Sequence, residues 1–292
     1  MLEMLIRPRA AEKRPWKMFF IGLVYASLSV LLVHWFFASD AVLSKFLGLI
    51  VVVFCVMFSL PFMYGMIKRE EKEDEEIEGF FEVWKTHSDV IYGFIWLFLG
   101  FVIAFSFWSI FLGNSGIFNA QLQTYCMINS EGSIEDCASK YGLGGQDGGI
   151  ITGNIAVGNS GLWRVLSILE NNVYVMIFTL IFSLIFGAGA IFVLAWNATV
   201  IAQAIGIFTK YRVAGIPMGL GRYMIHGLPE ITAYFITALA GGIFGVEIIR
   251  RGFKGKKFSR VIGNVIILLF IALIILVVAA VMEVYFTPIL FG

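Results

Sequence analysis

Long apolar runs alternate with short polar segments along this chain of 292 residues. Seven of the runs are long enough to cross a bilayer as helices, because one crossing takes about 20 apolar residues. The predicted spans are 18–38, 43–67, 89–112, 173–189, 190–208, 228–249 and 261–284. The pattern therefore predicts an all-α, polytopic bundle of transmembrane helices.

The apolar stretch from 173 to 208 is too long for a single crossing. One straight helix of this length would extend about 54 Å, nearly twice the thickness of the hydrocarbon core. Gly187 and Gly189 lie near its middle and supply a natural break. We therefore predict a broken pair, and a six-span alternative would leave 190–208 or 228–249 re-entrant.

The composition supports a protein embedded in the lipid bilayer. Hydrophobic residues make up 59% of the chain and charged residues 14%, whereas about a quarter of the residues of a soluble domain are charged. The mean hydropathy is +0.88. We expect a multi-pass protein of the cell (plasma) membrane. The formal net charge of only +1 argues against a nucleic-acid partner.

Basic residues predict the orientation, because Lys and Arg concentrate in short cytoplasmic loops. The cluster in residues 7–17 places the N-terminus in the cytoplasm, and a second cluster lies in residues 250–260. Counting seven spans puts both clusters on the cytoplasmic side. The same count puts 68–88 inside and the long loop 113–172 outside.

Three regions follow from this topology: an N-terminal two-span extension (1–67), a cytoplasmic acidic loop (68–88) and a membrane core (89–292) that includes the Gly-rich exterior loop 113–172. The charge density of residues 68–76 predicts that the acidic loop is solvated. Apolar residues at helical spacing just after it predict an interfacial helix that leads into the third span. They are Ile77, Phe80, Phe81 and Trp84.

The chain has three cysteines, and two of them share the exterior loop. Cys126 and Cys137 could form a disulfide if the loop faces an oxidising compartment, and two unpaired thiols are the alternative. Cys55 lies inside the second span, where a small packing residue is expected. No His lies near these cysteines, and we expect neither a metal site nor a cofactor.

The sequence His226-Gly-Leu-Pro-Glu230 places two ionisable groups at the predicted start of the sixth span. Such groups are unfavourable in hydrocarbon unless they have partners or a function. Their spacing of four residues puts them on one helix face. A proline is tolerated in the first turn, and the helix dipole favours a carboxylate there. They could relay a proton or cation, recognise a polar headgroup, or form a mutual hydrogen bond that fixes the helix entrance.

Other polar and small residues lie within the spans. Asn197 and Gln203 could join a polar site with His226 and Glu230, although such amides more often form interhelical hydrogen bonds worth about 0.6 kcal/mol. Gly241 and Gly245 have the spacing that lets two helices approach closely. We expect the sixth span to be central and to pack on the broken pair.

The order of these motifs resembles the stage II sporulation protein M family, particularly its archaeal members. The matching features are Asn171-Asn172 before a span, Trp196-Asn197 to Gly206 after the glycine break, His226 to Glu230, and the basic segment 250–260. The resemblance covers roughly residues 89–284. It implies a polytopic membrane protein without established catalytic chemistry, whose namesake in spore-forming bacteria anchors an envelope-remodelling complex with cell-wall-degrading partners.

Two hypotheses for function come from different classes. The leading one is a non-enzymatic membrane scaffold that organises membrane or envelope protein partners and that could form a homo-oligomer. The alternative is a channel or transporter for an ion or small polar solute that uses His226 and Glu230. A water-accessible cavity reaching Glu230, Asn197 and Gln203 would favour transport, and a dry, packed bundle would favour the scaffold. An intramembrane enzyme lacks a credible pair of nucleophile and base.

The pairing of Cys126 with Cys137 can be tested on the intact protein. After proteolysis, we expect the peptide material that contains both cysteines to change mass on reduction. Equal masses before and after reduction would exclude the disulfide and would weaken the exterior placement of the loop.

Overall fold

A computed structural model describes residues 14–74, 77, 79–112, 116–129, 137, 161–186, 191–251 and 256–291. The helices are α1 (Lys17–Phe37), α2 (Leu47–Asp74), α3 (Phe80–Phe111), α4 (Asn119–Asn129), α5 (Gly161–Phe186), α6 (Ile191–Phe208), α7 (Ile216–Arg251), α8 (Lys256–Val281) and α9 (Thr287–Phe291). Short 3₁₀ turns precede α2 and α7 at Leu43–Phe46 and Val213–Gly215. A π-helical turn, Met282–Phe286, joins α8 to α9.

The prediction of an all-α membrane bundle is confirmed. Within the described residues, seven helices are long and apolar enough to cross a membrane, and no strand is present. The predicted break lies between α5, which ends at Phe186, and α6, which begins at Ile191. Gly187 and Gly189 themselves lie outside the described residues.

Several helices extend well beyond the apolar runs. Helix α2 continues to Asp74, α5 begins at Gly161 and α7 begins at Ile216. A helix satisfies its backbone hydrogen bonds internally, so it does not have to end where hydrocarbon ends. The exterior loop is therefore shorter than predicted, because its last 12 residues belong to α5.

Two predictions about residues 68–88 are wrong. The residues from Phe80 onward form the first turns of the spanning helix α3 and not a separate interfacial helix, although Phe81 remains 84% exposed. The acidic run is not fully solvated either, since Glu70, Glu71 and Asp74 are buried. Charge density alone does not prevent burial when partners lie within the protein.

Helix α7 is the central helix of the bundle. It contacts α2, α3, α5, α6 and α8, whereas α1 packs on α2 and α3 at the side. Phe235 of α7 packs against Phe94 and Phe98 of α3, with ring centroids 5.3 and 6.1 Å apart. This aromatic cluster is fully buried.

Small residues set the spacing between α5 and α7. A Cβ atom at Gly241 would lie 2.8 Å from the carbonyl oxygen of Leu180, and one at Gly245 would lie 2.6 Å from that of Leu184. The Ser183 hydroxyl donates to the Ala238 carbonyl across the same crossing (2.5 Å). The two backbones are therefore in direct contact, as small residues allow in membrane helices.

The bundle has two ends with different contents. The end of α2 meets the start of α3, the end of α7 and the start of α8, and we call this the Asp74 end. The opposite end, called the Glu230 end, holds α4 and the start of α5. Which end faces the cytoplasm stays a prediction from the loop charges.

Helix α4 closes part of the Glu230 end. It packs on α2 and α6, and the Gln121 amide donates to the Gly48 carbonyl (3.0 Å). A disulfide links Cys126 to Cys137, with the Cα atoms 5.8 Å apart.

At the same end of the bundle, the turn between α1 and α2 holds an exposed carboxylate. The backbone N–H groups of Leu43 and Val42 donate to Asp40 and hold the pKa of its carboxyl below the usual value.

We expect Gly245→Ala to lower the melting temperature of the protein in detergent micelles. The added methyl group would press on the Leu184 carbonyl, and overpacking of this kind destabilises by about 1–3 kcal/mol. Gly263→Ala in α8 is the matched control, because no atom lies within 4 Å of its Cβ position. The control should be neutral or gain up to about 1 kcal/mol from helix propensity. Equal shifts in the two variants would contradict the close crossing.

Candidate functional site

The motif from His226 to Glu230 lies inside α7 and not at its start. Helix α7 begins at Ile216, so Glu230 does not lie at the positive end of a helix dipole, and the prediction from the sequence is wrong on this point. Pro229 lies in the helix interior. A proline there removes one backbone hydrogen bond and leaves the carbonyl four residues earlier, on Ile225, without its helical donor.

His226 and Glu230 each bond to a different neighbouring helix. The His226 Nδ1 atom lies 3.1 Å from the Thr287 hydroxyl of α9, and the Glu230 carboxylate accepts a hydrogen bond from the Asn172 amide of α5 (2.8 Å). The Tyr234 hydroxyl donates to the Asn172 oxygen (3.1 Å). The mutual hydrogen bond between His226 and Glu230 is therefore replaced by contacts to other helices. Asn172 lies inside α5, well after its start at Gly161, and not before the span as the sequence predicted.

A second carboxylate, that of Glu283, faces Glu230. The two side chains interact electrostatically, and Arg164 of α5 acts on Glu283. Glu283 belongs to the π-helical turn between α8 and α9. π turns are rare and recur at functional sites, and here the turn lies opposite the proline-interrupted part of α7.

A cavity of about 910 Å³ opens beside these residues. The side chains around it come from α4, α5, α6, α7 and the π turn. They are Thr124, Ser167, Ile168, Asn171, Asn172, Tyr174, Val175, Phe178, Phe192, Val193, Trp196, Asn197, Val200, His226, Glu230, Tyr234 and Glu283. Glu230 and Glu283 are only partly buried, because they border this space.

The other two residues that the sequence suggested for the site, Asn197 and Gln203, lie in different places. Asn197 lines the cavity, and its amide donates to the Val193 carbonyl of its own helix (2.7 Å). Gln203 is buried away from the cavity and donates to the Ser109 hydroxyl of α3 (2.5 Å). The structure thus brings His226, Glu230 and Asn197 together and leaves Gln203 as a link between α6 and α3.

Sequence reasoning missed a buried ionic cluster at the Asp74 end. Its centre is His87 of α3, whose Nδ1 lies 2.7 Å from Glu70 Oε2 and whose Nε2 lies 2.9 Å from Asp74 Oδ1. All three side chains are at most 2% exposed. Both nitrogens of a histidine ring donate only in the protonated form, so this geometry suits an imidazolium between two carboxylates.

The cluster extends to the end of α7 and the start of α8. Arg250 of α7 pairs with the buried Glu71 (2.5 Å). The Asn264 amide donates to the backbone carbonyls of Asp74 (3.2 Å) and Ile77 (3.1 Å), at the point where α2 ends and its carbonyls lack helical partners. Four helices are therefore fixed to one another at this end.

A periodic signal for this cluster was present in the sequence. Met63, Met66, Ile67, Glu70 and Asp74 succeed one another at intervals of at most four residues, and all are buried on one face of α2. The buried face thus continues through the charged run. Within the described residues, no group of three or more His, Cys, Asp or Glu is arranged to hold a metal ion.

We expect His87→Ala to destabilise the protein strongly, by about 3–5 kcal/mol, because it leaves two buried carboxylates without their partner. The measurement is the melting temperature in micelles. Glu73→Gln, which removes an exposed ion pair with Arg69, should change stability by less than about 1 kcal/mol. The triple variant His87→Leu, Glu70→Leu, Asp74→Leu should recover part of the loss. A similar small effect in His87→Ala and Glu73→Gln would contradict this account.

Comparison with known proteins identifies the family. The family described as Stage II sporulation protein M matches residues 94–288, which is most of the chain from α3 to α9. No curated protein and no solved structure matches. The matched segment contains the whole cavity beside Glu230, and α1 and α2 precede it. This chain therefore belongs to the stage II sporulation protein M family.

Proposed function

We propose that this protein is a channel or transporter that binds a cation or a cation-bearing solute beside Glu230 and lets it cross the membrane. The observation that carries the proposal is the cavity of about 910 Å³ bordered by two carboxylates within the bundle. Carboxylates at membrane depth are rare and commonly mark ion and substrate pathways.

The contacts of Glu230 support a binding role. One oxygen accepts from Asn172, which Tyr234 holds in turn, so the carboxylate is oriented by neutral donors. The charge that acts on it is that of another carboxylate, Glu283. Two carboxylates facing one cavity favour a proton or a cation between them. His226, bonded to Thr287, would position α9 against α7 and border the entry of the solute.

The interrupted helices also support transport. Transporter sites commonly use helices whose backbone bonding is broken beside the substrate. Here Pro229 removes one backbone hydrogen bond from the continuous helix α7, and the π turn interrupts the regular bonding between α8 and α9 at the same cavity.

The scaffold hypothesis is the second candidate. An acidic segment in the cytoplasm would be a natural docking surface for a scaffold, but Glu70, Glu71 and Asp74 bond inside the protein. The exposed aromatic pair Phe80 and Phe81, with ring centroids 5.6 Å apart, remains for a partner at that end. A membrane or envelope protein partner could dock there, or a second copy of the chain.

The proposal also includes an orientation, with the Asp74 end in the cytoplasm. Basic residues lie at or near the Asp74 end of the bundle, and basic residues concentrate in cytoplasmic loops. They are Lys68, Lys72, Lys257 and Arg260. The cavity then lies in the exterior half of the membrane, and the linked cysteines face the oxidising side.

Flux into liposomes reconstituted with the full chain tests the proposal. The probes are rubidium ions, tetramethylammonium and a fluorescent alkylammonium. An external quencher reports how much of the alkylammonium remains in the outer leaflet. We expect at least one probe to cross faster than in protein-free liposomes. Glu230→Gln should reduce that rate about tenfold or more, because hydrogen bonds to charged groups contribute about 1.5–3 kcal/mol. His226→Ala should reduce it less.

Glu73→Gln is the control for flux. Glu73 is an exposed carboxylate at the Asp74 end that pairs with Arg69 and does not border the cavity, so the flux through this variant should equal that through the unmodified protein. Silence of all probes with correctly folded protein would overturn transport and return the scaffold hypothesis to first place. An equal flux rate in the Glu230→Gln variant and the unmodified protein would also overturn the proposed path.

A further inference from the structure

The cavity beside Glu230 is polar at one end and apolar at the other. On α5, three polar residues line it first together with one apolar residue, and an aromatic and aliphatic group lines it further along the helix. The first group is Ser167, Asn171, Asn172 and Ile168, and the second is Tyr174, Val175 and Phe178. From Ser167 to Phe178 the helix rises about 16 Å, roughly half the hydrocarbon thickness. The cavity is thus long compared with a hydrated inorganic ion.

Helix α6 repeats this gradient in the opposite direction along the chain. Asn197 and Trp196 lie near the polar part, with Val200 one turn further toward the Glu230 end. Val193 and Phe192 lie deeper. The depth of Phe192 is shown by its contact with Phe182 of α5, with ring centroids 6.2 Å apart. The lining of α6 therefore becomes fully apolar over the same depth as that of α5.

The cavity-lining residues of helix α7 show the same change from polar to apolar with depth as those of α5 and α6. His226 and Glu230 lie at the polar end, and Tyr234 lies one turn deeper. Glu230 bonds to Asn172, whereas Ala238, two turns further along α7, bonds to Ser183 of α5. The two helices run in the same direction, so the polar ends of their cavity-facing surfaces coincide. The cavity as a whole is amphipathic along the membrane normal.

The cavity is open on the side of α5 that faces the bilayer. Tyr174 and Phe178 line it and are nevertheless 64% and 52% exposed. Helix α5 is peripheral: 17% of its spanning window is buried, against 83% for α7. An apolar chain in the bilayer can therefore reach Phe178 without passing through a charged entrance.

The polar end favours a positive charge. Among the described residues, no Lys or Arg lines the cavity, although Arg164 acts on Glu283 and Arg222 on His226 from outside the lining. Glu230 has Asn172 as its hydrogen-bond donor and Glu283 as its charged neighbour. Aromatic side chains nearby add ring faces, which attract organic cations and above all quaternary ammonium groups. They are Trp196 and Tyr234.

We propose that the cavity binds a cationic amphiphile from the bilayer, with an ammonium head beside Glu230 and an apolar chain along Phe178 and Phe192. This inference rests on the proposed function, because it names the solute class for the same cavity. A free organic cation from water would share the head chemistry but would leave the deeper, apolar half of the cavity unused.

Equilibrium binding of radiolabelled dodecyltrimethylammonium to the full chain in micelles of an uncharged maltoside detergent tests the inference. We expect saturable binding that Glu230→Gln weakens about tenfold or more and that the control Glu73→Gln, at the opposite end of the bundle, leaves unchanged. Dodecyl sulfate, which has the same chain and the opposite charge, should not compete. Tetramethylammonium, which has the head alone, should compete about tenfold less well or worse.

A second variant separates head from chain. Val175→Phe adds volume at the apolar half of the cavity, so it should weaken dodecyltrimethylammonium and leave tetramethylammonium unaffected. Equal competition by tetramethylammonium would overturn the amphiphile in favour of a free cation. Competition by dodecyl sulfate would show non-specific apolar uptake, and so would equal binding affinity in the Glu230→Gln variant and the unmodified protein. Either result would overturn the inference altogether.

The binding and flux experiments fail independently. Saturable amphiphile binding in a protein that moves none of the probes across liposomes would overturn the proposed transport and leave the binding site. Flux of rubidium or tetramethylammonium that depends on Glu230, in a protein that does not bind the amphiphile, would overturn this inference and leave the transport proposal.

Discussion

Polar side chains within a bilayer need partners inside the protein, and α7 carries such side chains in both of its halves. Glu230 is held by Asn172 of α5, and Arg250 is held by Glu71 of α2. Between them lies the small-residue surface that lets α5 reach the backbone of α7. The positions of the neighbouring helices therefore depend on the bonds that α7 must form and on how closely it can be approached. Phe235 completes the arrangement by filling the space toward α3.

The two halves of α7 satisfy this requirement in different ways. At the Asp74 end, the carboxylates meet His87 and Arg250 directly, and the free carbonyls of α2 meet Asn264. This cluster pairs each carboxylate through one of its oxygens and holds four helices together. At the Glu230 end, a carboxylate bonds to a neutral amide and borders a cavity with a second carboxylate. Carboxylates paired directly with cations at one end, and carboxylates beside a cavity at the other, distinguish a structural cluster from a binding site.

The spans could be predicted from the sequence because hydrocarbon imposes a minimum length on every crossing. The break near Gly187 results from the same limit. The helix ends could not be predicted in this way, since hydropathy scores each residue by itself. Whether Glu70 is solvated depends on His87, 17 residues away, and whether Glu71 is solvated depends on Arg250, 179 residues away. Helical periodicity along α2 held part of this information, and the charge of the run concealed it.

Only part of the site beside Glu230 could be predicted from the sequence, for a related reason. A histidine and a glutamate in an apolar context stand out in any sequence, but Glu283 lies near the end of a long apolar helix with no motif around it. Its relation to Glu230 depends on the π turn, which adds a residue to one turn and so rotates the residues after it by about 100°. This rotation lets Glu283 face Glu230 while Thr287, four residues later, meets His226. A regular helix would be easier to form, so the irregular turn at this place is best explained by the two contacts that it makes with α7.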